Sequence, residues 1–516
     1  MLCGSVGGRK YRKEDVIGTR LRVGDLLIRA KLVTEEDVAR ALVRLAEHGG
    51  RLGDNLVAIG ALDKKALDSF LHRIPAEPTD MKATGIDEND LMGLMMKLIY
   101  AGRLQTIRQF VDAIKLPYHI VLELVRMAVD RKLLHTLGSR DSENLIDLSY
   151  AFTEEGRRWT LDALQRLRYT GPAPVTLDEF IDQVNMQKLT NELVTFDRIR
   201  TSLGELVFDD SIVEQSGPAL NSGRAILLYG APGNGKTSVA HCFASVFNDV
   251  IYVPYAVIVE GQIIRVHDPS IHIPLTSTSV TEDDAMSVIR REEFDARWVP
   301  CRRPFVVTGG ELTLEMLDLR YDHMGHYYEA PLHVKALGGC FIIDDFGRQL
   351  VSPTNLLNRW IVPLESRVDY LKLHTGKAFS VPFEELVMFS TNLEPEELMD
   401  PAFLRRLPYK IEIGTPSLEN YRRIFEKECE RHGLTLSDEV FDSIVGKIRN
   451  EKGLDLAAFQ PKFIVDQIVA TCRFMGETPH FEPRFVDYAI DNLRVRRTGT
   501  GAKAHDQGRA RVDIVG

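Results

Sequence analysis

The chain has 516 residues, 44% of them hydrophobic and 27% charged, a soluble globular composition too long for one core, so about two to four domains are expected. A net charge of −10 argues against a protein that wraps nucleic acid along its whole length, while a local basic surface stays open. Cys3, Cys242, Cys301, Cys340, Cys429 and Cys472 stand without a C-x-x-C pair or framework spacing, which fits a reducing compartment and argues against structural zinc and redox chemistry.

In chain order, the start Met1-Leu2-Cys3-Gly4-Ser5 lacks the apolar core of a secretory signal, and no stretch approaches the length of a membrane span, so a cytoplasmic protein is expected. From residue 19 to 74 the sequence then repeats itself. Arg22-Val23-Gly24-Asp25-Leu26-Leu27, followed by Leu32, Val38 and Leu42, is echoed by Arg51-Leu52-Gly53-Asp54-Asn55-Leu56, followed by Leu62, Leu67 and Leu71. Each unit reads as a short amphipathic helix, a turn and a second helix, together a small helical docking domain over residues 1–80. The duplicated unit resembles the MshEN-type N-terminal domain of type II secretion and pilus ATPases, which in some members binds cyclic di-GMP through paired R-L-G motifs. That resemblance implies phosphate contacts at Arg22 and Arg51; otherwise both are surface arginines. Lys31 stands in place of the first unit's glycine, and Leu45 and Ile74 where each unit would carry glutamine, departures that favour the fold with nucleotide binding lost or altered.

A linker with Pro75, Pro78 and Gly85 follows. Periodicity predicts helices over 91–101, 105–114 and 117–134, short strands at Leu145-Ile146-Asp147-Leu148 and Tyr150-Ala151-Phe152-Thr153, and a helix over 154–166. This is a winged-helix outline over residues 85–170, and Phe152-Thr153-Glu154-Glu155-Gly156-Arg157 resembles the strand-to-helix corner of such domains. Winged helices often bind DNA through the third helix. Here that helix begins Pro117-Tyr118-His119-Ile120-Val121-Leu122-Glu123-Leu124-Val125-Arg126 with little positive charge, which puts protein docking ahead of DNA binding. The prolines of Tyr169-Thr170-Gly171-Pro172-Ala173-Pro174-Val175 mark the next boundary, and a nucleotide-binding domain is expected over 176–415.

Its decisive feature is Gly230-Ala231-Pro232-Gly233-Asn234-Gly235-Lys236-Thr237, the pattern G-x-x-x-x-G-K-[ST], directly after the apolar run Ala225-Ile226-Leu227-Leu228-Tyr229 and before a helix from Ser238 onward. Strand, glycine-rich loop and helix make a nucleoside triphosphate cradle: loop N–H groups face the phosphates, and the helix adds the positive end of its dipole. Lys236 would reach the β- and γ-phosphates, and the Thr237 hydroxyl would bind Mg2+. A second apolar strand, Gly338-Gly339-Cys340-Phe341-Ile342-Ile343, ends in Asp344 and Asp345 and is expected beside the first. Asp344 would hold Mg2+ through its waters, and Asp345 would orient or deprotonate the attacking water. A third strand, Leu386-Val387-Met388-Phe389-Ser390, runs into Thr391-Asn392, which places an amide beside that water. Met399-Asp400-Pro401-Ala402-Phe403-Leu404-Arg405-Arg406 precedes a further strand over 409–413, and its paired arginines suit a finger acting on a neighbour's γ-phosphate.

These motifs, in this order over about residues 201–495, together resemble an AAA+ ATPase. The resemblance implies an α/β fold, a P-loop αβα sandwich with a parallel sheet and a C-terminal helical lid, here preceded by two small mainly α domains. It implies ATP and Mg2+ as cofactors and a homo-oligomeric ring, commonly hexameric. Carried onto this sequence, Gly230, Gly233, Gly235, Lys236 and Thr237 bind phosphate and metal, with Ala231, Pro232, Asn234 and Ser238 completing the loop. Asp344 binds metal, Asn392 resembles the first sensor, Arg405 or Arg406 the finger, and Lys462 in Gln460-Pro461-Lys462-Phe463 the second sensor. The lid over 416–495 is read as helices at 417–432, 437–450, 456–474 and 483–493, with a disordered tail over 496–516. Asp345 departs from the usual glutamate and is one methylene shorter, which points to slow hydrolysis.

The separation of phosphate loop and acid strand predicts an insertion at about 262–336 that grips a partner or pads the subunit interface. His323, His326 and His333, with Asp322 and Cys340 near, match no common zinc spacing, so no metal site is expected there. His241-Cys242 and Tyr327-Tyr328 read as packing residues. The expected function is ATP hydrolysis coupled to remodelling or assembly of a protein partner. The alternatives are a DNA-associated ATP-dependent regulator and a cyclic-dinucleotide-gated switch.

Overall fold

The computed structural model describes residues 23–30, 32–139, 148–204, 206–275 and 294–493, and among them no helix is long and apolar enough to cross a membrane. The described residues divide into two compact units: those up to 204, with 210–230 and 236–412, form the larger, and 206–209, 231–235 and 413–493 the smaller.

The larger unit opens with α1 (Val23–Arg29), α2 (Glu35–His48), α3 (Leu52–Ala58) and α4 (Lys64–Leu71), packed on Leu27, Val33, Ala41, Leu56, Leu62 and Leu67. The duplicated glycine is a packing requirement. A Cβ on Gly24 would lie 3.2 Å from Leu52 and Val38, and one on Gly53 would lie 2.9 Å from Leu67. Thr34 and Asp37 close a capping box on α2, and Asp63 caps α4.

Next, α5 (Glu88–Gly102), α6 (Ile107–Ile114) and α7 (Tyr118–Asp130) share a core of Leu91, Met95, Phe110, Ile120 and Leu124. The antiparallel strands β1 (Leu134–Ser139) and β2 (Leu148–Phe152) and helix α8 (Glu154–Arg166) complete this module. The first strand of the pair therefore follows α7 directly and does not come from residues 145–148: Leu148 begins β2, and 145–147 lie outside the described residues. Lys132 turns to φ +60°, and the Leu133 N–H bonds back to the Ala128 carbonyl, so α7 stops and the buried Leu133 and Leu134 turn toward the strand. Gly156 is required at the following corner, where a Cβ would lie 2.0 Å from the Leu133 carbonyl oxygen.

β3 (Val175–Thr176), α9 (Leu177–Met186), α10 (Phe196–Leu203) and α11 (Asp210–Ser222) lead into β4 (Ile226–Tyr229) and α12 (Lys236–Ser245). Then come β5 (Val250–Pro254), β6 (Ala256–Val259), β7 (Gln262–Arg265), β8 (Trp298–Arg302), β9 (Phe305–Thr308), β10 (Arg320–Asp322), β11 (Tyr327–Glu329), α13 (Leu332–Lys335) and β12 (Cys340–Ile343). After α14 (Pro353–Ser366), β13 (Val368–Lys372) pairs with β14 (Ala378–Pro382), and β15 (Leu386–Ser390), α15 (Pro395–Leu398), α16 (Pro401–Leu404) and β16 (Tyr409–Glu412) complete the unit.

β16, β4, β15, β12 and β9 form a five-stranded sheet in that order, every pair parallel. β12 and β15 are buried along their whole length, as strands covered on both faces must be. Leu356, Leu357 and Trp360 of α14 pack with Leu227, Phe341 and Phe389, while α12 packs on β4 and β15, giving a P-loop αβα sandwich. A second five-stranded sheet runs β10-β11-β7-β6-β3. The single insertion expected at 262–336 is thus corrected: Phe305–Thr308 is the edge strand of the main sheet, and the additional strands begin earlier, at Val250. Arg297, 1% exposed, ties this region together through Asp295, Glu179 and the carbonyl oxygens of Thr84 and Pro174.

The smaller unit holds α17 (Leu418–Arg431), α18 (Asp438–Gly446), α19 (Gln460–Met475) and α20 (Pro483–Asp491) around Tyr421, Phe425, Phe441, Ile464, Ile468 and Phe485. The loop tip 231–235 belongs to this same unit.

Candidate functional site

The C-terminal ends of three neighbouring strands build the site. β4 ends at Tyr229, just before Gly230, and α12 begins at Lys236, so Thr237 stands in the first turn of a helix that packs on the sheet. Gly230, Gly233 and Gly235 have φ of +130°, +82° and +90°, backbone that side chains with a Cβ resist. Lys236 is 6% exposed and donates Nζ–H to the Gly230 carbonyl at 2.8 Å. Burial lowers its pKa, and the charges of Asp344 and Asp345 oppose that shift.

Thr237 Oγ1 donates to Asp344 Oδ2 at 2.9 Å, across 107 residues of sequence. The other Asp344 oxygen accepts the Asp345 N–H at 3.0 Å. The strands carrying loop and acids were expected side by side, but β15 lies between β4 and β12. That insertion brings Asn392 in: Thr391 N–H bonds to the Leu228 carbonyl, and Asn392 Nδ2 donates to Asp345 Oδ1 at 3.0 Å. Asp345 itself has φ +49°, a left-handed backbone that aspartate enters more readily than most side chains.

Sequence reasoning missed Gln349. Its Nε2 donates to the carbonyls of Asp344 at 2.9 Å and Asp345 at 3.2 Å, and its Oε1 accepts the Gly347 N–H. It fixes the turn that carries the acid pair. A lone polar residue in a loop gives no periodic or motif signal, so nothing in the sequence marked it.

Arg405 and Arg406 do not join this cluster. β16 is parallel to β4, with Tyr409 opposite Ile226 and Glu412 opposite Tyr229. The arginines precede Tyr409 and so lie where β4 begins, a strand length of about 10–13 Å from the end that carries Gly230. Arg406 Nε pairs with Glu365 at 3.2 Å. Ser238 is exposed on α12.

Within the smaller unit, Ala231, Pro232 and Gly233 are exposed and Asn234 is 1% exposed. Gly233 O accepts the Phe459 N–H at 3.0 Å, and Asn234 Oδ1 accepts the Ala458 N–H at 3.2 Å. Lys462 is exposed in the first turn of α19.

The remaining candidates are dispersed. Arg22 lies outside the described residues, and Arg51 is exposed at the start of α3. The exposed residues of α7 include Glu123, Arg126 and Asp130, a mixed surface. His333 Nε2 pairs with Asp369 at 2.8 Å, His326 Nδ1 faces the Arg166 carbonyl at 3.1 Å, and His323 packs edge-on to Tyr321. The His241 ring packs on Phe305 at 4.5 Å.

A family model described as a domain of unknown function, DUF8689, matches residues 417–492, the span of α17 to α20. No curated protein matches. NtrX from Brucella abortus is similar at 13% identity with a TM-score of 0.34, over 66% of this chain; this chain spans 62% of that one. A point mutant of RuvB from Thermotoga maritima is similar at 13% identity with a TM-score of 0.30, over 59% of this chain and 73% of that chain. A second RuvB point mutant is similar at 15% identity with a TM-score of 0.32, over 57% and 73%. Likenesses this distant do not define the fold; the strand pairing of the sheet does.

Proposed function

We propose that this chain is a Mg2+-dependent ATPase of the AAA+ type that remodels or assembles a protein partner. The observation that carries the reading is the 2.9 Å contact of Thr237 Oγ1 with Asp344 Oδ2, beside the Asp345–Asn392 pair. A hydroxyl and a carboxylate are hard oxygen donors of the kind Mg2+ takes alongside water and phosphate, so these residues fit that ion. When bound, Mg2+ neutralises charge on the β- and γ-phosphate oxygens.

Lys236 exchanges the Gly230 carbonyl for phosphate oxygens, a better partner for an ammonium held in a buried place. Asp345 takes a proton from water as the water oxygen bonds to the γ-phosphorus and the bond to the bridging oxygen breaks, giving ADP and inorganic phosphate. Asn392 holds Asp345 Oδ1 and so fixes the direction of the carboxylate. Arg405 and Arg406, placed a sheet length from their own loop, serve a neighbouring copy, which makes a ring the active form. The mixed charge of α7 favours a protein partner over a duplex.

Phosphate release from purified protein over a range of chain concentrations tests this reading, since catalysis shared between copies makes turnover per chain rise with concentration. Turnover indistinguishable from that of Lys236→Ala at every concentration, with both chains folded by circular dichroism, removes the ATPase assignment.

A further inference from the structure

We infer that Asn234 couples the phosphate loop to the entry of helix α19, so that phosphates arriving at the loop are read where the chain enters that helix. The inference deepens the ATPase reading and rests on it. A helix begins with N–H groups that have no intrahelical partner. At the start of α19, Phe459 provides no side-chain cap, and Pro461 has no N–H to give. The loop accepts from the two residues that lead into the helix: Gly233 O takes the N–H of the N-cap Phe459 at 3.0 Å, and Asn234 Oδ1 takes the N–H of Ala458, just ahead of it, at 3.2 Å, across 224 residues of sequence.

The Phe459 ring closes over this contact. A Cβ on Gly233 would stand 2.4 Å from it, so glycine is needed there for the ring's approach as well as for its φ of +82°. Asn234 is 1% exposed, and its Nδ2 has no hydrogen-bond partner among the described residues. A buried donor left unpaired makes this arrangement less stable than one that satisfies it. Phosphate oxygens are strong acceptors, and binding brings them to this loop. Pairing Nδ2 with one of them turns the planar carboxamide, and Oδ1 turns with it away from Ala458. Occupied and empty loops thus differ in which end of Asn234 is satisfied, the difference a ligand needs to shift a conformation.

Hydrogen exchange on the full chain, with and without saturating Mg-ADP, tests this, with ADP binding followed in parallel by a fluorescent ADP analogue. In the wild type, amides over 456–462 are expected to exchange about fivefold faster with ADP, the factor set by one lost hydrogen bond. Asn234→Ala removes the acceptor, so those amides exchange fast with or without ADP. Asn234→Asp keeps the acceptor and removes the donor, so they stay slow in both states. ADP binding by the wild type with unchanged exchange over 456–462, or a wild-type response in Asn234→Asp, overturns the coupling and leaves the ATPase reading standing. Failure of the wild type to bind ADP overturns both.

Discussion

If the proposed ATPase reading holds, Asp345→Asn is expected to separate chemistry from binding at this site. Asp345 sits at φ +49°, and asparagine tolerates left-handed backbone at least as well as aspartate, so the turn keeps its shape. The asparagine Oδ1 still accepts from Asn392 Nδ2, which now stands 3.0 Å from the Asp345 Oδ1. Folding stability is therefore expected to change by no more than about 0.5 kcal/mol. What disappears is the proposed proton acceptor. A positioned general base contributes about 10²- to 10⁴-fold, or roughly 3–5 kcal/mol of barrier at about 1.4 kcal/mol per tenfold. Steady-state phosphate release and ADP affinity, measured side by side, are expected to show kcat reduced at least about 100-fold, with affinity within about twofold of wild type. Turnover within about threefold of wild type would falsify the role of Asp345 as base. Loss of ADP binding together with turnover would show that the carboxylate shapes the binding site itself.

Glu385 is fully buried, neither carboxylate oxygen has a hydrogen-bond partner among the described residues, and burial pushes its pKa well above the usual 4.5. A raised folded pKa gives full stability below the unfolded value and a loss as pH climbs toward the folded one, at about 1.4 kcal/mol per pH unit. Glu385→Gln should flatten that slope, seen as a smaller fall of the thermal midpoint between pH 5 and 7; parallel slopes for the two chains count against it. Arg297→Ala leaves Asp295 buried without its cation and should cost about 3–5 kcal/mol in urea unfolding, while a loss below about 1 kcal/mol contradicts the described network. Mixing a chain carrying both Arg405→Ala and Arg406→Ala with Lys236→Ala should recover part of the turnover that each lacks alone. No recovery in mixed assemblies speaks against sharing between copies.

The glycine-rich loop and the acid strand were legible because their residues sit in contiguous runs: glycines at fixed spacing before Lys236, and an apolar strand ending in Asp344. The order of strands was not. β4, β12 and β15 are all short, buried and apolar, and such strands carry no mark of which neighbours which, so the place of β15 between the other two emerged only from the pairing. β9 was hidden for the same reason, since Phe305–Thr308 resembles the strands of the second sheet around it. The hairpin was shifted because Leu133 and Leu134 continue the apolar face of α7 in sequence, and the stop at Lys132 depends on a positive φ that lysine composition does not announce. The Gln349 contacts and the Asn234–Ala458 contact are single polar hydrogen bonds, and these leave no periodic trace.

The pairing of β3 has a consequence for how the protein is made and how it can be shortened. Val175 sits opposite Val257, and Thr176 opposite Ile258, so a segment that leaves the ribosome early waits for a partner synthesised after the phosphate loop and all of α12. Until then its two residues have no sheet to join. A recombinant chain begun just after Thr176 would present β6 with one flank bare, an invitation to pair with another molecule. Soluble shortened forms should therefore begin upstream of Val175.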